Sequence, residues 1–255
     1  MKLFKELGAN AAEAVEGLGA EVRFLLRLIV YTPRALLRFD LIIQQVYNSG
    51  ALSLVIIMLS GLFVGMVLAL QGFDLLQRFG SEEALGTAAA IALLKELSPV
   101  ITALLFAGRA GTSLTSEIGL MRATDQLTAM KMMAVDPLRY VAAPRFLGGV
   151  VAMPFLAAVF SIIGLFGAQL VGVKLMGVDR GAFWSQMQSN VGLKDVMEGI
   201  VKSLVFGLAC SLIAVYEGYH AEPTAAGVGL ATTRTVVASS VLILLLDYVL
   251  TACFI

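Results

Sequence analysis

Two neighbours of opposite charge, Lys95 and Glu96, stand in the middle of ALGTAAAIALLKELSPVITALLFAG (84–108), a run with no other charge. Lys202 and Asp247 interrupt two further apolar runs, at about 196–216 and 235–255, and Glu198 lies one turn ahead of Lys202. An ionisable group at mid-bilayer costs roughly 2.5–3.5 kcal/mol on insertion scales, so such groups are functional candidates by default. At a rise of about 1.5 Å per residue, Lys95, Glu96 and Asp247 fall about 12 Å from the outer ends of their helices, and Lys202 about 9 Å. Two cations and two anions thus share one layer. It can be a structural network, with Glu198 and Lys202 as an ordinary i,i+4 pair. It can equally line a cavity that holds a charged headgroup. Lys95 and Glu96 are read as cavity residues, while Lys202 and Asp247 fit either role.

A greasy stripe is the natural companion of such a layer. Leu68, Leu75, Leu76 and Phe79 recur at i, i+7, i+8 and i+11, on one side of a helix. They can serve core packing, or line a slot for acyl chains if the helix runs beyond Gln71. Gly61 and Gly65 form a GxxxG pair that permits close helix contact.

Other chemistry is missing. No GxxxxGK[ST], GxSxG or HExxH occurs. The single histidine, His220, cannot build a metal cluster, and Cys210 and Cys253 both sit in apolar runs, against a disulfide framework or zinc site. No cofactor or metal is expected in this chain. The Gly-rich GVGLATTR (227–234) lacks the lysine of a phosphate loop and reads as a tight cytoplasmic turn entering the last span.

The elements that hold these residues follow from composition. Of the 255 residues, 59% are hydrophobic and 14% charged, at zero net charge. Soluble domains carry about 25% charged residues, which places this chain in the membrane class and gives it no basic field for nucleic acid. Spans need roughly 20 apolar residues each. Five are read, at about 51–71, 84–108, 146–173, 196–216 and 235–255. The expected fold is an all-α integral membrane protein, with residues 1–50 as an N-terminal cytoplasmic and interfacial segment and 51–255 as one polytopic domain. The N-terminus lacks the apolar core and cleavage site of a signal peptide.

Lys and Arg set the orientation. With the N-terminus inside, Lys2, Lys5, Arg23, Arg27, Arg34, Arg38, Arg109, Arg122, Lys131, Arg139, Arg145 and Arg234 are cytoplasmic. Only Arg78, Lys174, Arg180 and Lys194 lie outside, which supports a cytoplasmic N-terminus and an outward C-terminus. In residues 20–40, Arg23, Arg27, Arg34 and Arg38 fall within about 60° on one face at helical pitch. This reads as an interfacial helix on the anionic inner leaflet, each Arg contributing about 1 kcal/mol.

One polar stretch lies between the second and third spans: SEIGLMRATDQLTAMKMMAVDPLRYVAAPR, 116–145. Thr124 is its expected N-cap, with Asp125 in the first turn and Asp136-Pro137 as its stop. The short helix between them, within a coupling segment at 116–137, carries Leu127, Met130 and Met133 on one side. Methionines suit a surface that repacks as a partner moves.

That stretch, preceded by ELSPVITALLFAGRAGTS, resembles the MlaE-type permeases of bacterial ABC phospholipid transporters, and YEGYHAEPTAAGVGLATTRTVVASS looks like the same family's second cytoplasmic signature. The resemblance covers nearly all of 45–255, and its central motif is highly specific; Asp125 stands where the family pattern has Glu. It implies a permease that moves glycerophospholipid between inner and outer membrane and maintains outer-membrane lipid asymmetry. It further implies a homodimer, cytoplasmic ABC ATPases that bind the ATP and Mg, a periplasmic MCE-domain protein, and a STAS-domain protein on the ATPase. Carried over by position, Glu117, Arg122, Asp125, Gln126, Met130 and Met133 fall in the ATPase-coupling segment. Lys95, Glu96 and the Leu68–Phe79 stripe fall along the lipid cavity, in a bacterial inner-membrane protein. A proton-coupled transporter using Glu96 and Asp247 would leave the coupling segment without a role, and a non-transporting scaffold would leave the charge layer unexplained.

Overall fold

The computed structural model describes residues 19, 23–29, 31 and 39–254, and among them no strand occurs. Five helical stretches are long and apolar enough to cross a membrane: Asp40–Gln77, Glu82–Ala123, Leu138–Lys174, Leu193–His220 and Ala225–Phe254. Each is longer than its apolar core alone indicated, because polar residues continue a helix once the membrane has nucleated it.

The first stretch is jointed. Helix α1 (Phe39–Ser49) passes through a tight turn at Ala51–Ser53 into α2 (Leu54–Gln77). Gly50 sits at the joint, where a Cβ would stand 2.6 Å from the Val46 carbonyl oxygen. The Ser53 hydroxyl donates to the Ser49 carbonyl at 2.7 Å, and Arg109 donates to both Asn48 O (2.8 Å) and Ser53 Oγ (3.1 Å). A guanidinium from the second stretch thus caps the carbonyl end of α1.

The second stretch is built of α3 (Leu85–Ala92), α4 (Ser98–Phe106) and α5 (Thr112–Ala123), joined by wide π turns at Leu93–Leu97 and Ala107–Gly111. Pro99 explains the first of these turns. A proline has no N–H for the carbonyl four residues back, here that of Lys95, and its ring crowds that carbonyl. A third wide turn, Leu138–Ala142, precedes Pro144 in the same manner at the start of α7 (Ala143–Lys174). Residues 116–123 of the polar stretch therefore continue the second span. Only α6 (Gln126–Met132) stands as a separate short helix before α7.

Beyond α7, α8 (Arg180–Asn190) buries Phe183 against Leu85, Ala89 and Val171, and Asp179 caps it by accepting from Ala182 N at 2.7 Å. Then come α9 (Leu193–His220) and α10 (Ala225–Phe254). Residues 227–234 form the opening turns of α10, which corrects the expectation of a tight turn there. The reversal lies at Ala221–Thr224, where the Thr224 hydroxyl accepts from Gly227 N at 3.0 Å as an N-cap. Thr224→Ala is expected to cost about 1 kcal/mol of stability, read as a lowered melting temperature in detergent.

Packing is densest where α2 lies along α7. The reason is a seam of glycines: a Cβ at Gly65 would fall 1.9 Å from Gly164 O, and one at Gly167 would fall 2.3 Å from Leu62 O. Gly61 and Gly65 thus do what the GxxxG spacing permits. Helix α9 runs through the centre against α5, α7 and α10, while only 11% of the apolar window of α10 is buried.

Candidate functional site

The charge layer forms because α9 places Asp195, Glu198 and Lys202 on one stripe, at i, i+3 and i+7. Opposite it, the wide turn at 93–97 carries Lys95 and Glu96. Lys95 Nζ meets Glu198 Oε2 at 2.8 Å and Asp195 Oδ1 at 3.2 Å. Lys202, only 1% exposed, donates to Glu96 Oε2 (2.8 Å), Asp247 Oδ1 (3.1 Å) and Thr251 Oγ1 (2.7 Å). Helix α10 supplies the last two, again one turn apart. The expected i,i+4 pair of Glu198 with Lys202 does not form; each turns instead to the wide turn between α3 and α4, because Lys95 and Glu96 project to different levels of α9.

Lys95, Glu96, Glu198, Lys202, Thr251 and Phe254 surround a cavity of about 220 Å³. Asp195 and Thr251 are members of this layer that the sequence reading missed. Asp195 reads as an acidic first-turn residue, and its spacing to Glu198 and Lys202 was the available signal. A half-buried threonine such as Thr251 gives no signal at all. A second, almost wholly apolar cavity of about 240 Å³ lies between α4, α7 and α9, walled by Leu94, Pro99, Pro154 and Gly199 among others.

The greasy stripe divides. The helix does run past Gln71, to Gln77. Leu68 and Leu76 pack into the core, whereas Leu75 (58% exposed) and Phe79 (75% exposed) face outward, and Phe79 lies beyond the end of α2. None of the four lines the polar cavity within this chain.

At the other end, Asp125 holds a left-handed backbone (φ 54°) and starts α6. Thr124 closes α5 instead of capping α6, its hydroxyl donating to Leu120 O at 2.9 Å. Its hydroxyl is thereby spent on the preceding helix, which corrects the expected cap. Leu127 and Met130 pack inward against the Val141–Phe146 cluster, but Met133 does not share their side: it stands 68% exposed beside Met132 at 84%. The cause is the end of the helix at Met132, after which Ala134 adopts φ 60°. Gln126 is exposed. Glu117 accepts from Arg145 at 3.3 Å and from Ser113 at 3.4 Å. Arg122 donates to the Tyr219 carbonyl, tying α5 to the end of α9. Arg122, Asp125, Thr128, Lys131 and Tyr219 rim a cleft of about 270 Å³, with the Lys131 ammonium 5.6 Å from the Tyr219 ring centre.

Of the four surface arginines, Arg23 and Arg27 are exposed while Phe24 and Leu28 are buried, the former 5.5 Å ring-to-ring from Tyr216. Arg34 and Arg38 lie outside the described residues.

A family model described as Permease MlaE matches residues 42–253, that is, from α1 to the end of α10. The chain belongs to the MlaE permease family. It is 49% identical over 247 residues to the intermembrane phospholipid transport system permease protein MlaE of Haemophilus influenzae, covering 96% of this chain and 95% of that one. It is 35% identical over 254 residues to a probable ABC transporter permease protein of Rickettsia bellii, covering 100% of this chain and 98% of the relative. A probable ABC transporter permease protein of a Synechocystis strain is 32% identical over 208 residues, 82% of this chain and 79% of its own. The charge layer, the cleft beside α6 and the glycine seam all lie within the matched residues.

Proposed function

We propose that this chain is the transmembrane subunit of an ATP-driven transporter that moves glycerophospholipid between the inner and outer membranes and maintains outer-membrane lipid asymmetry. The observation that carries the proposal is the near full-length match to a permease named for intermembrane phospholipid transport. The five apolar stretches and the buried charge layer support that role.

In this reading the N-terminus is cytoplasmic, the C-terminus periplasmic, and α6 is the coupling helix. A cytoplasmic ABC ATPase, which binds ATP and Mg, seats on the exposed Met132 and Met133 and in the cleft between Arg122 and Lys131. Its displacement reaches α5 through Arg122 and reaches α7 through the Glu117–Arg145 pair. A second copy covers the barely buried α10, whose Val237, Val241, Leu244 and Tyr248 are exposed. A periplasmic MCE-domain protein and a STAS-domain protein bound to the ATPase complete the assembly. The charge layer receives the lipid headgroup in the outer half of the membrane.

The test is purification of the complex from mild detergent. The ATPase is expected to co-purify with the native chain, and vesicles carrying the complex are expected to release phospholipid to an acceptor on ATP addition. Met132→Glu with Met133→Glu is expected to lower ATPase recovery at least about tenfold, since a carboxylate desolvated at an interface costs several kcal/mol. The permease should remain in the membrane. Undiminished recovery would remove α6 from the interface, and ATP-independent transfer would remove the ATPase from the mechanism.

A further inference from the structure

Taking that transport role as its basis, we propose that the cavity in the charge layer selects phospholipids whose headgroup carries a primary ammonium, and that Glu96 and Glu198 read it.

The donors and acceptors of the layer do not balance. An ammonium has three N–H donors, and Lys202 spends all three on Glu96, Asp247 and Thr251. Lys95 spends two, on Glu198 and Asp195, and keeps one. The carboxylates keep far more. Glu198 is 6% exposed and lines the cavity, yet its Oε1 has no hydrogen-bond partner. The Lys194 ammonium stands 3.8 Å from that oxygen, beyond hydrogen-bond length, on a side chain 80% exposed. Glu96 has a side chain 42% exposed, and its Oε1 meets only the Thr251 hydroxyl at 3.5 Å. Asp247 holds Lys202 through Oδ1 alone. What the layer offers a guest is acceptors.

Charge points the same way. Setting aside the exposed Lys194 and first-turn Asp195, two lysines (95 and 202) face three carboxylates (Glu96, Glu198 and Asp247), leaving one negative charge uncompensated at a depth where charge is costly. Among the described residues no cluster of His, Cys, Asp and Glu could hold a metal ion in its place. A headgroup ammonium supplies the missing positive charge and donates to the exposed Glu96 carboxylate and, once the Glu198 side chain turns toward the cavity, to its unpaired Oε1, while its phosphate takes the remaining donor of Lys95. A glycerol headgroup adds a second negative charge instead. A quaternary choline brings the charge without N–H donors.

The test uses the assembled transporter in vesicles of equal phosphatidylethanolamine and phosphatidylglycerol, with a photo-crosslinker replacing Phe254 on the cavity wall and mass analysis of the captured lipid. The native layer is expected to capture the ethanolamine lipid about tenfold over the glycerol lipid, the discrimination of one charge-assisted hydrogen bond. In matched vesicles with phosphatidylcholine in place of the ethanolamine lipid, the preference over the glycerol lipid should be smaller. Glu96→Gln is expected to bring the two lipids close to parity without abolishing capture, and Glu198→Gln serves as the second variant should the first fail to fold. Lys95→Gln should lower total capture and keep the bias. Capture in the bilayer's own ratio, or a bias unmoved by both glutamine variants, overturns the selectivity alone. The absence of any captured phospholipid overturns the transport role, and the selectivity with it.

Discussion

Gly65→Leu is expected to prevent the chain from accumulating as a folded membrane protein. The side chain would begin 1.9 Å from Gly164 O and 2.7 Å from Gly164 C, both backbone atoms that no rotamer change can clear. Helices α2 and α7 would have to separate along their whole contact, the most extensive among the described residues. Overpacking commonly costs about 1–3 kcal/mol, and a backbone-on-backbone clash at the main helix seam belongs at or above the upper end. Without lipid-excluded contacts between these helices little else holds them, because lipid tails solvate the apolar faces as well as protein does. Gly65→Ala should already lower the melting temperature in detergent. Gly108→Ala, where a Cβ meets nothing within 4 Å, is the control and should leave it unchanged. Equal stability of the Gly65 and Gly108 variants would show that the seam is not tight.

Lys202→Ala is expected to have the other large effect. It removes a buried ammonium and strands Glu96 and Asp247 together, two carboxylates with no remaining cation on them. Breaking a buried pair from one side costs about 3–5 kcal/mol, because the partner charge stays behind. The neutral triple variant Lys202→Met, Glu96→Gln, Asp247→Asn removes the stranded charge and should recover most of the stability, but not transport. Melting curves and ATP-driven lipid release, measured on the same preparations, separate the two consequences. Full transport by the neutral variant would reduce the layer to scaffolding.

The five spans were legible because membrane helices announce themselves through bulk composition, which needs no knowledge of neighbours. The charge layer was legible for the same reason: Lys95, Glu96, Lys202 and Asp247 stand out against apolar runs. Which cation meets which anion was not, since that depends on how two helices face each other. Glu198 and Lys202 satisfy the i,i+4 rule, yet each finds a partner on the second span. Helix ends were the weakest reading. Thr124 and Thr224 are both threonines after a helix, and only Pro223 marks which of the two begins the next one. The glycines at 227 and 229 looked like a turn because glycine in water favours one, whereas they lie in the opening turns of α10, which begins at Ala225. The stripe from Leu68 to Phe79 held only for Leu68 and Leu76, because the helix ends at Gln77 and the spacing alone did not show that Leu75 and Phe79 face outward.

The wide turn at Leu93–Leu97 sets a phase. A helix with one extra residue in a turn resumes rotated by about 100° relative to an uninterrupted one. The second span contains two such turns in 42 residues, so a helical wheel drawn through it end to end assigns the wrong bearing to everything beyond each offset. Lys95 and Glu96 sit within the first offset, which is why adjacent residues serve two levels of α9. The span therefore works as three short rods indexed against each other, and a torque applied at the α5 rod can be taken up at either joint before it reaches the charges.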